Sequence, residues 1–197
     1  MKLFHSPASP FVRKVRVAAA LRGLTARIEL MPSNPHLSPP ELLAANPLSK
    51  IPALICDDGT ALIDSLVICE YLDTIGDAPR LIPAAGAARV AALNIHAIAN
   101  GIMDAAVARR GSSQLPQDEG RQKFDARTKA AVDRALAMLE AMPPAPMDIT
   151  GATIGCALGY LDFRFAHEPW RAAHPKLAAW FEATNKLPAF AETMPVG

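Results

Sequence analysis

The stretch 46-NPLSKIPALICDDGTALIDSLVICEYL-72 decides how the first part of this chain folds. Two short apolar runs, 53–56 and 61–63, are separated by Asp57-Asp58-Gly59, the spacing and turn chemistry of a β-hairpin. The segment 64–75 then reads as a helix, with Asp64 where an N-cap belongs and Leu66, Val67, Cys69, Tyr71 and Leu72 available for packing. Pro52, directly before the first run, lacks the N–H a strand needs. Ile51-Pro52 is therefore a candidate cis peptide that leaves the Ile51 backbone groups free for an extended peptide. Lys50 reads either as a solvated residue or as a point charge for a carboxylate. Asp64-Ser65 reads either as an ordinary cap or as a seat for an amino-acid end, with the Ser65 hydroxyl and the first N–H groups on the carboxylate and Asp64 facing the ammonium.

Toward the N-terminus, "KLFH" (2–5) is a short strand, and "SPASPFVRKVRVAAALRG" (6–23) is a loop running into a helix over about 10–22. Phe11, Val15, Ala18 and Ala19 share a stripe of that helix, and Gly23 stops it. Ser9-Pro10 at the junction suits the N-cap and first helical positions. The same hydroxyl, at the positive end of a helix, can also steady a thiolate or another anion. The basic residues Arg13, Lys14, Arg16 and Arg22 read as a solvated helix face. Segment 26–31 alternates like a strand, and the proline-rich 32–52 holds one short helix around 41–45. The order is βαβ followed by ββα.

From residue 84 onward no strand is expected. Alanine-rich segments 87–110 and 122–142 read as amphipathic helices, the second broken by Pro143, Pro144 and Pro146. "TGATIGCALGYLDFRF" (150–165) is apolar nearly all round, as a central buried helix should be, with Thr150 as its N-cap and Gly155 and Gly159 marking close packing. Two shorter helices, about 175–185 and 188–193, follow. The expected domains are 1–78 and 84–197, joined by a linker near 77–86. Asp104 and Arg109 on the long helix are expected to form a surface ion pair.

With 197 residues, 51% of them hydrophobic, the chain can bury a substantial core. Lys plus Arg number 20 against 19 Asp plus Glu, so no net field draws nucleic acid or an anionic membrane. No signal-like apolar run and no uncharged apolar stretch of about eighteen residues is present, which makes the cytoplasm the expected compartment. Cys56, Cys69 and Cys156 form no CxxC and read as small buried hydrophobes. The five histidines are scattered, so no metal site is expected.

Taken together, loop-Ser-Pro-helix, Asn-Pro-x-x-Lys-Ile-Pro and Asp-Ser at a helix start, inside βαβ-ββα, closely resemble the cytosolic glutathione transferases, in particular the small bacterial serine-type enzymes. The resemblance covers nearly the whole chain. It implies a fold of α/β plus all-α class, a thioredoxin-like N-terminal domain followed by a C-terminal helical bundle. It also implies a glutathione site made by Ser9, Phe11, Lys50, Ile51, Pro52, Asp64 and Ser65. By that resemblance Ser9 donates a hydrogen bond to the thiolate and is the catalytic residue, and Ser6 is the rival hydroxyl. Ile51 before cis-Pro52 pairs with the cysteinyl backbone. Lys50 draws the glycyl carboxylate with help from His36, and Ser65 and Asp64 hold the γ-glutamyl end. The implied activity is conjugation of glutathione, as co-substrate, to small hydrophobic electrophiles by a homodimer. Candidate wall residues for the electrophile are Pro7, Ala8, Phe11, Ile102, Met103 and Phe163. A non-catalytic binding or regulatory protein, and glutathione-dependent peroxidase or dehalogenase chemistry, are the alternatives. Serine at position 9 argues against the cysteine-type disulfide reductases, which need a sulfur nucleophile. Two departures stand out: Ser49 where relatives carry glycine, and Thr150 with Thr153 in place of the usual capping box.

Overall fold

Burial along "KLFH" shows why the chain starts as a strand. In the computed structural model, which describes residues 1–142 and 145–197, the consecutive residues Leu3 and Phe4 of β1 (Lys2–His5) are both buried. Consecutive side chains of a strand face opposite ways, so β1 has packing on both sides. Phe4 meets Leu42, Ala45 and Ala53 on its side. β1 pairs in parallel with β2 (Glu29–Pro32) and antiparallel with β3 (Ala53–Ile55), which pairs antiparallel with β4 (Ala61–Leu62). The sheet order is β2-β1-β3-β4. Around it lie α1 (Pro10–Leu21), the short α2 (Pro40–Ala45) and α3 (Ser65–Thr74). The strand expected over 26–31 begins later, because Thr25–Arg27 closes a 3₁₀ turn; β2 is an edge strand with little of its surface covered.

The basic residues of α1 are not a solvated face. Arg13, Lys14 and Arg22 are 3%, 0% and 3% exposed, and only Arg16 of the four is partly open. Arg13 Nη2 donates to the Phe190 carbonyl at 3.2 Å, and its guanidinium lies over the Phe190 ring. Arg22 Nη2 donates to the carbonyls of Ile75 (3.0 Å) and Gly76 (2.9 Å), while its Nε lies 3.6 Å from Asp73. Asp73 in turn accepts from the N–H groups of Leu81 at 2.6 Å and Ile82 at 3.2 Å. The partners are the end of α3, the segment after it and the short α8 (Pro188–Ala191), all far away in sequence, so helical spacing alone gave no sign of them. By packing, the chain divides into Met1–Pro83 with Pro188–Gly197, and Ala84–Leu187. The last ten residues fall with the first unit, α8 packing on α1.

The second unit contains α4 (Gly86–Ser112), α5 (Glu119–Glu140), α6 (Ile149–Arg164) and α7 (Pro175–Thr184). Every residue of α6 from Ile149 to Leu161, including Gly155 and Gly159, is buried, and α6 packs mainly on α4. Its N-cap is Asp148 rather than Thr150: Asp148 Oδ1 accepts from the Thr150 N–H at 2.7 Å and from the Gly151 N–H at 3.4 Å. A carboxylate at that place adds the negative charge a helix start favours. Gly151 is required there, because a Cβ would fall 2.3 Å from the Pro146 carbonyl oxygen. Pro143 and Pro144, expected to break the preceding helix, lie outside the described residues. α4 is long and apolar enough to cross a membrane by composition, yet it packs on α5 and α6. Ile102 and Met103, candidate wall residues, are core side chains.

Arg109 does not pair with Asp104. It is buried, and its guanidinium binds Asp125 (2.8 and 3.2 Å) and Glu168 (3.0 and 2.7 Å) through paired contacts while stacking 4.6 Å over Phe165. Burial works against its charge, but Glu168 and Asp125 outweigh that and hold its pKa above the ordinary value.

Asp73→Ala is expected to destabilise the protein by about 3–5 kcal/mol, because it strands a buried guanidinium and two backbone donors. Urea denaturation checks this. In the Arg22→Met, Asp73→Ala double variant the loss should be smaller than the sum of the two single losses.

Candidate active site

Strand pairing decides which loops meet. Phe4 of β1 pairs with Ala53 of β3, and Leu54 with Leu62 of β4, both antiparallel. The chain leaving β1, the chain entering β3 and the chain leaving β4 therefore lie at one end of the sheet. These are residues 6–9, Lys50–Pro52 and Ile63–Ser65, so six of the seven sequence-derived glutathione positions gather there, with Phe11 in the first turn of α1.

Ser9 is the N-cap of α1, with extended backbone (φ −81°, ψ 122°). Its Oγ accepts from the Val12 N–H at 3.3 Å, and its carbonyl accepts from the Arg13 N–H at 3.0 Å. The serine hydroxyl is both acceptor and donor, and among the described residues nothing accepts its proton. Pro10 has no N–H to offer, which leaves the Phe11 N–H as the remaining unpaired donor of the first turn. Ser6, the rival hydroxyl, lies in the preceding turn, where its carbonyl accepts from the Ser9 N–H at 3.1 Å.

The Lys50 turn is held by a buried asparagine. Asn46 Nδ2 donates to the Lys50 carbonyl at 2.7 Å, and Asn46 Oδ1 accepts from the Leu48 N–H at 3.0 Å. Ser49 adopts a left-handed conformation (φ 51°), which glycine takes without strain and other residues rarely adopt. A serine there costs on the order of 1 kcal/mol. A hydrogen bond of similar worth offsets it, from Ser49 Oγ to the Pro35 carbonyl at 2.9 Å. That bond also ties the 3₁₀ turn Pro35–Leu37, which carries His36, to the turn that carries Lys50. Sequence spacing offered no reason to join these two side chains; Ser49 is the signal that could have done so. Lys50 is exposed and forms no ion pair among the described residues.

Ile51-Pro52 is cis, and the Ile51 N–H and C=O make no hydrogen bond among the described residues. The Ile63-Asp64 peptide is also cis. Asp64 caps α3, its Oδ1 accepting from the Leu66 N–H at 2.9 Å. Ser65 follows, 3% exposed, and its hydroxyl has no hydrogen-bond partner among the described residues. An unpaired hydroxyl at a helix N-terminus is suited to an anion.

The cysteines offer no competing nucleophile. All three are buried and none is in a disulfide, and burial pushes the Cys56 thiol up, with the nearby Asp58 and Asp57 in the same direction against a hydrogen bond from Tyr71. Among the described residues no cluster fit for a metal exists. One histidine that the sequence left unassigned sits beside the site: His5, at the end of β1, has a buried Nδ1 without a partner, and its carbonyl accepts from the Ser33 N–H at 2.9 Å. Burial, then Arg16, holds the His5 imidazole below its ordinary pKa.

A small thioredoxin-like sheet domain with a helix-capping serine, a cis-proline loop and an Asp-Ser helix start, followed by a helical domain, is the arrangement of the glutathione transferase fold. Comparison with known proteins agrees. The family profile described as "Glutathione S-transferase, N-terminal domain" matches residues 8–75. A glutathione transferase family member from Pseudomonas fluorescens Pf-5, solved with bound glutathione, is 41% identical over 100% of this chain and 99% of that one, with a TM-score of 0.94. An uncharacterized GST-like protein, YibF of Escherichia coli, is 29% identical over 99% of this chain and 98% of its own. A maleylacetoacetate isomerase from Pseudomonas aeruginosa is 36% identical over 42% of this chain and 40% of its own. The chain belongs to the cytosolic glutathione transferase superfamily.

A histidine whose folded pKa is depressed contributes stability above its unfolded pKa and loses it as pH falls toward the folded value. Stability should therefore begin to decline below about pH 6.5, and His5→Asn should flatten that decline. Urea melts between pH 5 and 7.5 on both proteins check the slope.

Proposed function

We propose that this protein is a glutathione transferase that joins the sulfur of reduced glutathione to small hydrophobic electrophiles, and that Ser9 activates the thiol. The observation that carries the reading is the Ser9 hydroxyl, which accepts from Val12 at the start of α1 and keeps its own proton to donate. Glutathione then lies across the first unit as an extended peptide. Its γ-glutamyl carboxylate meets the Ser65 hydroxyl and the N-terminus of α3, with Asp64 toward the ammonium. Its cysteinyl backbone pairs with the free Ile51 groups beside Pro52, and its glycyl carboxylate meets Lys50 with His36 close by. Phe11, in the first turn of α1, lies next to the thiol.

The energetics are adequate. A free thiol has a pKa of about 8.5, and lowering it by about two units requires about 2.7 kcal/mol of preference for the thiolate. A charge-assisted hydrogen bond supplies about 1.5–3 kcal/mol and a helix N-terminus about 0.3–1 kcal/mol. With the proton already gone to solvent, the sulfur lone pair attacks an electrophilic carbon and a C–S bond forms. A leaving group departs with its electron pair or, on an activated alkene, the resulting carbanion takes a proton from water. Holding both reactants together supplies the remaining acceleration. No resident cofactor is needed, glutathione being the co-substrate. The reading extends to a cytoplasmic homodimer with a detoxifying role. The alternatives are a non-catalytic binding or regulatory protein of the same fold and peroxidase or dehalogenase use of the same thiolate.

Turnover with activated aryl halides, α,β-unsaturated carbonyls, hydroperoxides and alkyl halides tests this. Ser9→Ala is expected to lower kcat/KM for conjugation about a hundredfold with little change in glutathione affinity. Ser65→Ala and Lys50→Ala are expected to raise the glutathione KM about tenfold each at nearly constant kcat. Glutathione binding with no turnover across the panel would leave the non-catalytic reading.

A further inference from the structure

The second unit contains a cavity of about 490 Å³ that shares no residue with the glutathione positions. Its walls are apolar and aromatic: Val132 and Leu136 of α5, Leu161 near the end of α6, and Phe165 and Trp170 in the segment that follows. The volume falls within the range of small-molecule sites.

The polar groups on its lining are almost all occupied. Arg109 is held by Asp125 and by Glu168, whose two oxygens both accept from it. Lys129 pairs with Asp133 at 2.8 Å, and the Trp170 indole N–H donates to Asp162 at 2.8 Å. With each charged side chain already facing an opposite charge, the cavity has no unmatched charge to offer an ion.

His174 is the exception. It is 9% exposed, and its Nδ1 lies 2.8 Å from the Trp170 carbonyl oxygen. A carbonyl oxygen only accepts, so Nδ1 carries the proton and, in the neutral ring, Nε2 presents a lone pair. No described residue hydrogen-bonds that nitrogen. Glu140 spends both its oxygens on the N–H groups of Lys176 (3.0 Å) and Leu177 (2.8 Å). A ligand that brings a donor to Nε2 gives this largely buried ring its second hydrogen bond.

We propose that this cavity binds an uncharged aromatic molecule carrying a single hydrogen-bond donor, with its ring against Phe165 and Trp170 and its O–H or N–H donated to His174 Nε2. Phenol is the simplest such molecule. Toluene, of nearly the same size, lacks the donor. An ionised ligand is disfavoured, because it would meet charges already paired.

The test measures binding of phenol and of toluene by saturation-transfer NMR and tryptophan fluorescence, with and without excess S-hexylglutathione. Saturable phenol binding is expected, about fivefold tighter than toluene and unaffected by S-hexylglutathione. Ala173→Phe, at an exposed position on the lining, should abolish it by filling the cavity with little risk to the fold. His174→Phe should reverse the preference so that toluene binds the tighter. Absence of saturable binding, equal affinities in the wild type, competition by S-hexylglutathione, or an unchanged phenol affinity in Ala173→Phe would each overturn the proposal. Phenol binding in a protein that binds no S-hexylglutathione would leave this cavity standing and count against the glutathione reading alone.

Discussion

The hydrogen bond from the Val12 N–H to Ser9 Oγ is the constraint on which the proposed chemistry of this protein depends. It fixes the hydroxyl as an acceptor at the start of α1 and thereby aims its one proton away from the helix. A serine used only as a cap would do no more than this. What makes the arrangement suited to an anion is that Pro10 removes one competing donor while the Phe11 N–H stays unpaired beside it. The same few atoms serve folding and the proposed thiolate contact.

The rest of the first unit holds that hydroxyl in register with the groups that would bind a peptide. Antiparallel pairing of β1, β3 and β4 brings three loops to one end of the sheet, and each loop is pinned by its own side chain: Ser9 on α1, Asn46 on the Lys50 turn, Asp64 on α3. Behind them, buried Arg13 and Arg22 tie α1 to the segment after α7 and to the end of α3. Such buried cations contribute specificity of packing only while every partner stays in place.

Much of this was legible in the sequence because it is local. The helix caps at Ser9 and Asp64, the hairpin around Asp57-Asp58-Gly59 and the proline before β3 each depend on neighbours within a few residues, and the structure has all of them where spacing put them. What could not be read depends on distant partners. Arg13 and Arg22 looked solvated because Phe190, Ile75 and Gly76 are remote in sequence. Arg109 looked like half of a surface pair with Asp104, whereas Asp125 and Glu168 hold it. The tie between the turn carrying His36 and the turn carrying Lys50 is one bond, from Ser49 to the Pro35 carbonyl. Asp148 was within reach of sequence reasoning, being a better N-cap than Thr150 two residues on.

The most direct test of the account is the thiolate absorbance of glutathione bound to the wild type and to Ser9→Ala, followed as pH is raised. The account predicts a thiol pKa about two units below the free value of about 8.5 in the wild type, and a return toward the free value in Ser9→Ala with glutathione still bound. An equal pKa in the two proteins would contradict it and leave Ser9 as a helix cap alone.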